Sequence, residues 1–270
     1  MRRHLPAAIA AFLFSIPAAF AQTPDANTLI RESIQNYDKA WRAGMRWSYM
    51  QTDVTCSGGV KEVDVSSVIP LEGTPYERLI TKNGHALSAE EQRKEDEKYD
   101  KELHKRQSES AEARAARISK YEKERAFLVD IPNAYNFKVV GQETVNGRAA
   151  WVVELLPKPG FEPTTAHGAL LKHIEGKLWI DQKDLQWAKA EATVIGTISI
   201  GLILARIGEG AHITLELSRV TDGLWMPKEI TINGTARVLL VHNKNLDEQL
   251  TFSHYHLQSG AGTGPQLAAR

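Results

Sequence analysis

Three times this chain sets a polar residue and a glycine shortly before a tryptophan within an apolar run. The segments are Asn146-Gly147 before Trp151, Glu175-Gly176 before Trp179, and Asp222-Gly223 before Trp225. Each reads as a hairpin turn feeding a strand that a large aromatic anchors. The glycine-to-tryptophan spacing drifts, so these are not copies of one repeat. They imply a long antiparallel meander through the C-terminal half.

The N-terminus predicts export. Met1-Arg2-Arg3-His4 is a positive start, Leu5 to Phe20 is largely apolar, and Ala19-Phe20-Ala21 is a small-x-small cleavage site. Pro6 and Pro17 break a stretch already short for a membrane span. Residues 1–21 therefore read as a cleavable signal peptide, with the mature protein in the periplasm. No cysteine follows the cleavage site, so an unlipidated mature N-terminus is expected. Cys56 is the chain's only cysteine and excludes an internal disulfide. Without Arg2 and Arg3, 31 basic residues face 33 acidic ones, which gives no electrostatic case for nucleic acid. About 249 residues remain, enough for one β-rich domain over 22–258.

That domain opens with an amphipathic helix. Thr23-Pro24 offers a cap and first-turn proline, Ile30, Ile34, Tyr37 and Trp41 recur at helical spacing, and Gly44 ends the run. Met45–Thr55 and Val60–Ile69 form a hairpin, and Tyr76–Lys82 a third strand closed by Asn83-Gly84. Residues 88–128 then carry 22 charged residues in 41, eleven of each sign, with neither proline nor glycine. Ser88 with Glu91 makes a capping box. One long helix or a helical hairpin with a weak point at Gln107–Ser110 is expected, either as a solvated insertion or as a partner-binding arm.

The meander resumes after Pro132. Phe137–Gln142 pairs with Ala149–Leu156, the prolines of 157–163 interrupt the ladder, and His173–Asp181 pairs with Gln186–Val194. Ala188, Ala190, Ala192 and Val194 alternate with Trp187, Lys189, Glu191 and Thr193. A column of small residues suits a curved sheet whose inner face is filled by another element or a ligand. Ile195–Ile207 has no charge before Arg206 and apolar residues on every side. It reads as a short buried helix or lid, a core segment closing one end of the sheet, the mouth of an apolar cavity, or a loop that touches membrane. Residues 259–270 form a glycine-rich tail, expected to be disordered.

Catalytic signatures are missing. There is no G-x-S-x-G elbow, no phosphate loop and no HExxH. His212, His242, His254 and His256 fall on neighbouring strands without carboxylates at diagnostic spacing, so no metal is expected. Asp181 and Asp184 read as turn residues. No cofactor and no enzymatic activity are expected.

Two blocks carry a resemblance. Gly176-Lys177-Leu178-Trp179-Ile180-Asp181, followed by Lys189-Ala190-Glu191, is similar to the strand pair of outer-membrane lipoprotein-sorting proteins. Asp222-Gly223-Leu224-Trp225-Met226-Pro227 resembles their later G-x-W-x-P strand. With the order of elements, the chain resembles the LolA/LolB-like superfamily. The resemblance implies an α+β, mainly β fold: a strongly curved antiparallel sheet (an open half-barrel) with an N-terminal helix. It also implies a soluble, monomeric carrier of lipid or lipoprotein acyl chains, with transient membrane contact. Residues 88–128 lie outside the family's minimal pattern and admit an envelope protein partner instead. The expected cavity lining is Ala188, Ala190, Ala192, Ile198 and Leu202.

Overall fold

The computed structural model describes residues 23–200, 205–238 and 242–258. The signal segment, Leu202 and the C-terminal tail lie outside them. Helix α1 (Ala26–Gly44) leads into strands β1 (Trp47–Ser57), β2 (Val60–Leu71), β3 (Thr74–Lys82) and β4 (His85–Ala86). Helices α2 (Ala89–Gln107), α3 (Ala111–Lys123) and the single turn α4 (Ile131–Ala134) follow. The remaining strands are β5 (Tyr135–Val145), β6 (Arg148–Pro157), β7 (Ile174–Asp181), β8 (Trp187–Val194), β9 (Ile198–Ile200), β10 (Ala205–Ile207), β11 (His212–Thr221), β12 (Leu224–Val238) and β13 (His242–Leu257). The main path is one open antiparallel sheet in the order β4-β3-β2-β1-β13-β12-β11-β8-β7-β6-β5. The N-terminal strands thus dock on the last strand of the meander, a junction that no local signal announced.

Asn-Gly chemistry sets two of the tight turns. Asn83-Gly84 and Asn146-Gly147 take positive φ at both residues, as a two-residue hairpin requires. Glu175-Gly176 is different. It lies inside β7, with Gly176 paired to Ala192 and to Leu155. A Cβ on Gly176 would sit 2.0 Å from the Glu191 carbonyl oxygen, so glycine serves close backbone approach there, not a turn. Extra residues interrupt the ladder at Ile80, Val140, Ala188 and Lys228, where the cross-strand register shifts. Each such bulge sharpens the local twist and bends its strand, which is how so long a sheet curves.

The helical reading of 195–207 and the expected cap of the first helix need correction. Residues 195–207 supply no helix among the described residues. They form β9 and β10, which pair with each other, and β10 extends along β12. The first helix is capped by Asp25, whose carboxylate accepts from the Thr28 N–H at 2.8 Å, and not by Thr23.

The core lies between the sheet and α1. Leu29 and Ile30 of α1 are buried with Val153, Leu178, Ile180 and Trp187 of the sheet. Tyr37 stacks on Trp187 with ring centres 4.1 Å apart, and the Trp187 Nε1–H donates to Ser33 Oγ at 3.1 Å. Asn36 Nδ2 reaches the Asp184 carbonyl, while Gln186 Nε2 donates to the Asn36 carbonyl at 2.8 Å. The helix is therefore bolted to the β7–β8 turn through both apolar and polar contacts.

The charged helices are not a free solvated arm. Tyr76 and Arg78 lie on the sheet face opposite Tyr49 and Val68 by register, and meet Tyr99 and Asp96 of α2. Helix α3 crosses to the α1 side, where Tyr121 stacks on Trp41 and Glu122 pairs with Arg42. The pair straddles the β2–β3 turn. Arg106 is buried and donates to the Leu71 carbonyl and to Thr74, while Arg117 donates to Thr74 Oγ1 at 2.7 Å and to the Glu72 carbonyl. Glu109 neutralises Arg117 from the interhelix junction.

Candidate functional site

Direct cross-strand partners share a face of a sheet. Register therefore traces rows across the side that carries α1. One row runs Val139, Val153, Leu178, Ala190, Leu215, Ile230, Leu250, Asp53 and Asp64. Beside it runs Leu155, Gly176, Ala192, Ile213, Ile232, Glu248 and Thr55. At the β5–β7 end the first row is sealed, with Val153 and Leu178 buried. From β8 onward Ala190, Ala192, Ile213, Leu215, Ile230, Ile232 and Leu250 are only half-buried, forming an apolar trough. The rows turn acidic where β13 meets β1.

The predicted lining residues separate. Ala190 and Ala192 lie in the trough, at a recess of about 100 Å³ shared with Ile131, Tyr135, Leu155, Leu178 and Trp187. Ala188 is the extra residue of the β8 bulge and is packed into the core. That bulge also reverses the expected alternation: Trp187 pairs with Ile180 and so joins the face of Ala190, not that of Lys189. Ile198 is buried elsewhere, with Val194 and Ala211. Leu202 falls outside the described residues.

Sequence reasoning missed the aromatic end of this face. A second recess, of about 150 Å³, lies between α1, α3 and β1, lined by Tyr37, Trp41, Trp47, Tyr49, Tyr121, Arg125, Trp225 and Pro227 among others. Tyr49 meets Phe252 edge-on at 5.9 Å, which connects the recess to the trough. The available signal was the spacing of Tyr37 and Trp41, one helical turn apart. Its partners on α3 and β1 are remote in sequence.

Charge is distributed unevenly along this face. Burial raises the Asp53 carboxyl, and Asp64 and Glu77 push it further. Glu248 is raised by burial and by Asp53. Asp181 shows the opposite balance. Burial alone would raise it, but a bidentate Arg148 and the N–H groups of Asp184 and Lys183 more than offset that and hold it low. Asp184 pairs with Arg219 and accepts from Trp225 Nε1 at 3.0 Å. These two aspartates fasten a turn. β13 bulges at His254, which takes positive φ, and strict alternation of His254 with His256 is lost. Among the described residues no group of three metal-ligating side chains gathers, and no helix is long and apolar enough to cross a membrane.

No family model and no curated protein matches this chain. Solved structures do. A LolA superfamily protein from Nitrosomonas europaea is 11% identical, covering 87% of this chain and 95% of its own, with a TM-score of 0.36. An outer membrane lipoprotein-sorting protein domain from Vibrio parahaemolyticus is 12% identical over 86% and 95%, with a TM-score of 0.36. A DUF1329 family protein from Desulfovibrio piger is 11% identical over 88% and 96%, with a TM-score of 0.33. Identities and TM-scores of this size carry over nothing about site or ligand.

Proposed function

We propose that this protein is a periplasmic, non-catalytic binding protein or carrier for lipid or lipidated polypeptide, with the α1-bearing face of the sheet as its ligand site. The supporting observation is the half-buried apolar trough from Ala190 and Ala192 through Ile213, Leu215, Ile230, Ile232 and Leu250. A sheet face of this composition left half-open to water is an unfavourable surface unless something covers it. Burying an acyl chain contributes about 0.8 kcal/mol per CH₂, so a long chain gives roughly 10 kcal/mol before ordering costs. The export signal read in residues 1–21 supports the envelope location.

The rival reading, a docking arm made by 88–128, loses ground because Arg106 and Arg117 are turned inward onto the β2–β3 turn. Their helices act first as a clamp on the fold.

Native mass spectrometry of protein purified from the envelope without detergent tests the proposal. A stoichiometric co-purified lipid or acylated peptide is expected. A clean apo mass, with no uptake of added phospholipid or lipopeptide, would overturn it.

A further inference from the structure

Arg125, just beyond α3, is a cation without a carboxylate partner among the described residues. Its guanidinium carbon lies 4.7 Å from the Tyr37 ring centre and 4.8 Å from that of Trp41. Each ring is itself held in an aromatic pair, Tyr37 stacked on Trp187 and Trp41 on Tyr121. Cation–π contact satisfies the faces of the guanidinium and leaves its N–H edge unserved. Nε and Nη2 are both buried without a hydrogen-bond partner, and no described carboxylate pairs with Arg125. Desolvated N–H donors of a charged group are costly when left open.

Nε and Nη2 form the side edge of the guanidinium fork, whose two parallel donors match the two oxygens of a carboxylate. Arg125 also lines a recess of about 150 Å³, together with Trp47, Tyr49, Pro75, Trp225 and Pro227. That room suits a carboxylate and its first methylenes. From Tyr49 the apolar surface continues to Phe252, and from there along β13 to Leu250 in the trough.

We infer that Arg125 receives the carboxylate of a long-chain aliphatic acid whose chain lies along the trough. The inference rests on the trough being a ligand site, as proposed above. On the same face, Asp53 stands directly across from Leu250, and Glu248 two residues along β13 from it. They repel a second anion there and so set the ligand's direction, head at Arg125 and tail toward β8.

The test compares dodecanoate, dodecanol and dodecyl phosphate, each below its micelle concentration, on the mature chain at neutral pH by tryptophan fluorescence. Dodecanoate is expected to bind at least about tenfold tighter than dodecanol, a typical margin for a buried charge-assisted pair. In Arg125→Gln that preference should collapse while dodecanol binding stays unchanged. Equal affinity of acid and alcohol for the wild type overturns the role of Arg125 but leaves the trough as a binding surface. Binding of none of the three overturns both. A preference that persists in folded Arg125→Gln, or a tighter dodecyl phosphate, also overturns the assignment. Should Arg125→Gln fail to fold, the wild-type comparison of acid with alcohol decides alone.

Discussion

The α1-bearing face has two ends built on opposite terms. At β5–β8, Val153, Leu178, Ile180 and Trp187 are buried beneath α1 and α4, and the Trp187 Nε1–H is satisfied by Ser33 Oγ. At β13–β2, Leu250 and Phe252 stay half-buried, and Asp53, Asp64 and Glu248 gather without a basic partner among the described residues. The first end carries stability. The second forgoes stability and leaves its apolar surface half-open to water.

The contrast can be broken most forcefully at Trp187. Trp187→Ala removes the stack on Tyr37 and the bond to Ser33, and should lower unfolding free energy by about 3–5 kcal/mol in urea titrations. A matched pair sharpens the comparison: Leu178→Ala should cost about 3 kcal/mol and Leu250→Ala about 1, because only the first leaves a sealed cavity. Equal losses would show that the two ends are equally packed.

Asp130 offers the next test. It is buried, and Thr164 and Thr165 donate to it from both backbone and hydroxyl, fastening the proline-bearing loop to the closed end. Asp130→Ala strands those donors and should cost about 2 kcal/mol at pH 7. Burial works to raise this carboxyl, but the threonine hydrogen bonds outweigh it and the net shift is downward. A lowered folded value contributes stability that is present above the unfolded value of about 3.9 and is lost as pH falls through the folded one. The gap between wild type and Asp130→Asn should therefore narrow in urea titrations below about pH 4.

Ala192→Leu extends a side chain on the face that lines the recess of about 100 Å³. It should change stability by less than about 1.5 kcal/mol yet reduce uptake of added lipid in native mass spectrometry. Unchanged uptake would place the ligand elsewhere. The smallest effect belongs to Asp53→Asn. Because burial and like charge raise Asp53, its ionisation works against folding at neutral pH. The variant should be slightly more stable at pH 7, by less than about 1 kcal/mol since Asp53 is only half-buried, and indistinguishable below pH 3.

Much of the fold was legible because its signals are local. Asn83-Gly84 and Asn146-Gly147 fixed hairpins through positive φ, and alternation along 213–217 marked a strand. Ser88 and Glu91 announced the start of α2 through a capping box that the structure forms, and the Gln107–Ser110 junction separates α2 from α3. The candidate site was less legible. Ala190 and Ala192 share one sheet face as their alternation suggested, whereas Ala188 does not follow that alternation, because one extra residue in a strand shifts which side chains share a face. Glu175-Gly176 misled for a related reason, since glycine marks close backbone approach as readily as a turn. Arg125 was hidden among eleven basic residues of a charged run.

By itself the sequence determined the antiparallel meander, the helix that precedes it and the apolar character of the strands, since these follow from periodicity and turn chemistry within a few residues. Only the tertiary structure decided that β1 closes on β13, that α2 and α3 grip the β2–β3 turn from opposite faces, and that Arg125 lies between Tyr37 and Trp41. Those outcomes depend on register and on contacts between residues tens to hundreds of positions apart. Their free energy is realised only when the whole sheet has curved.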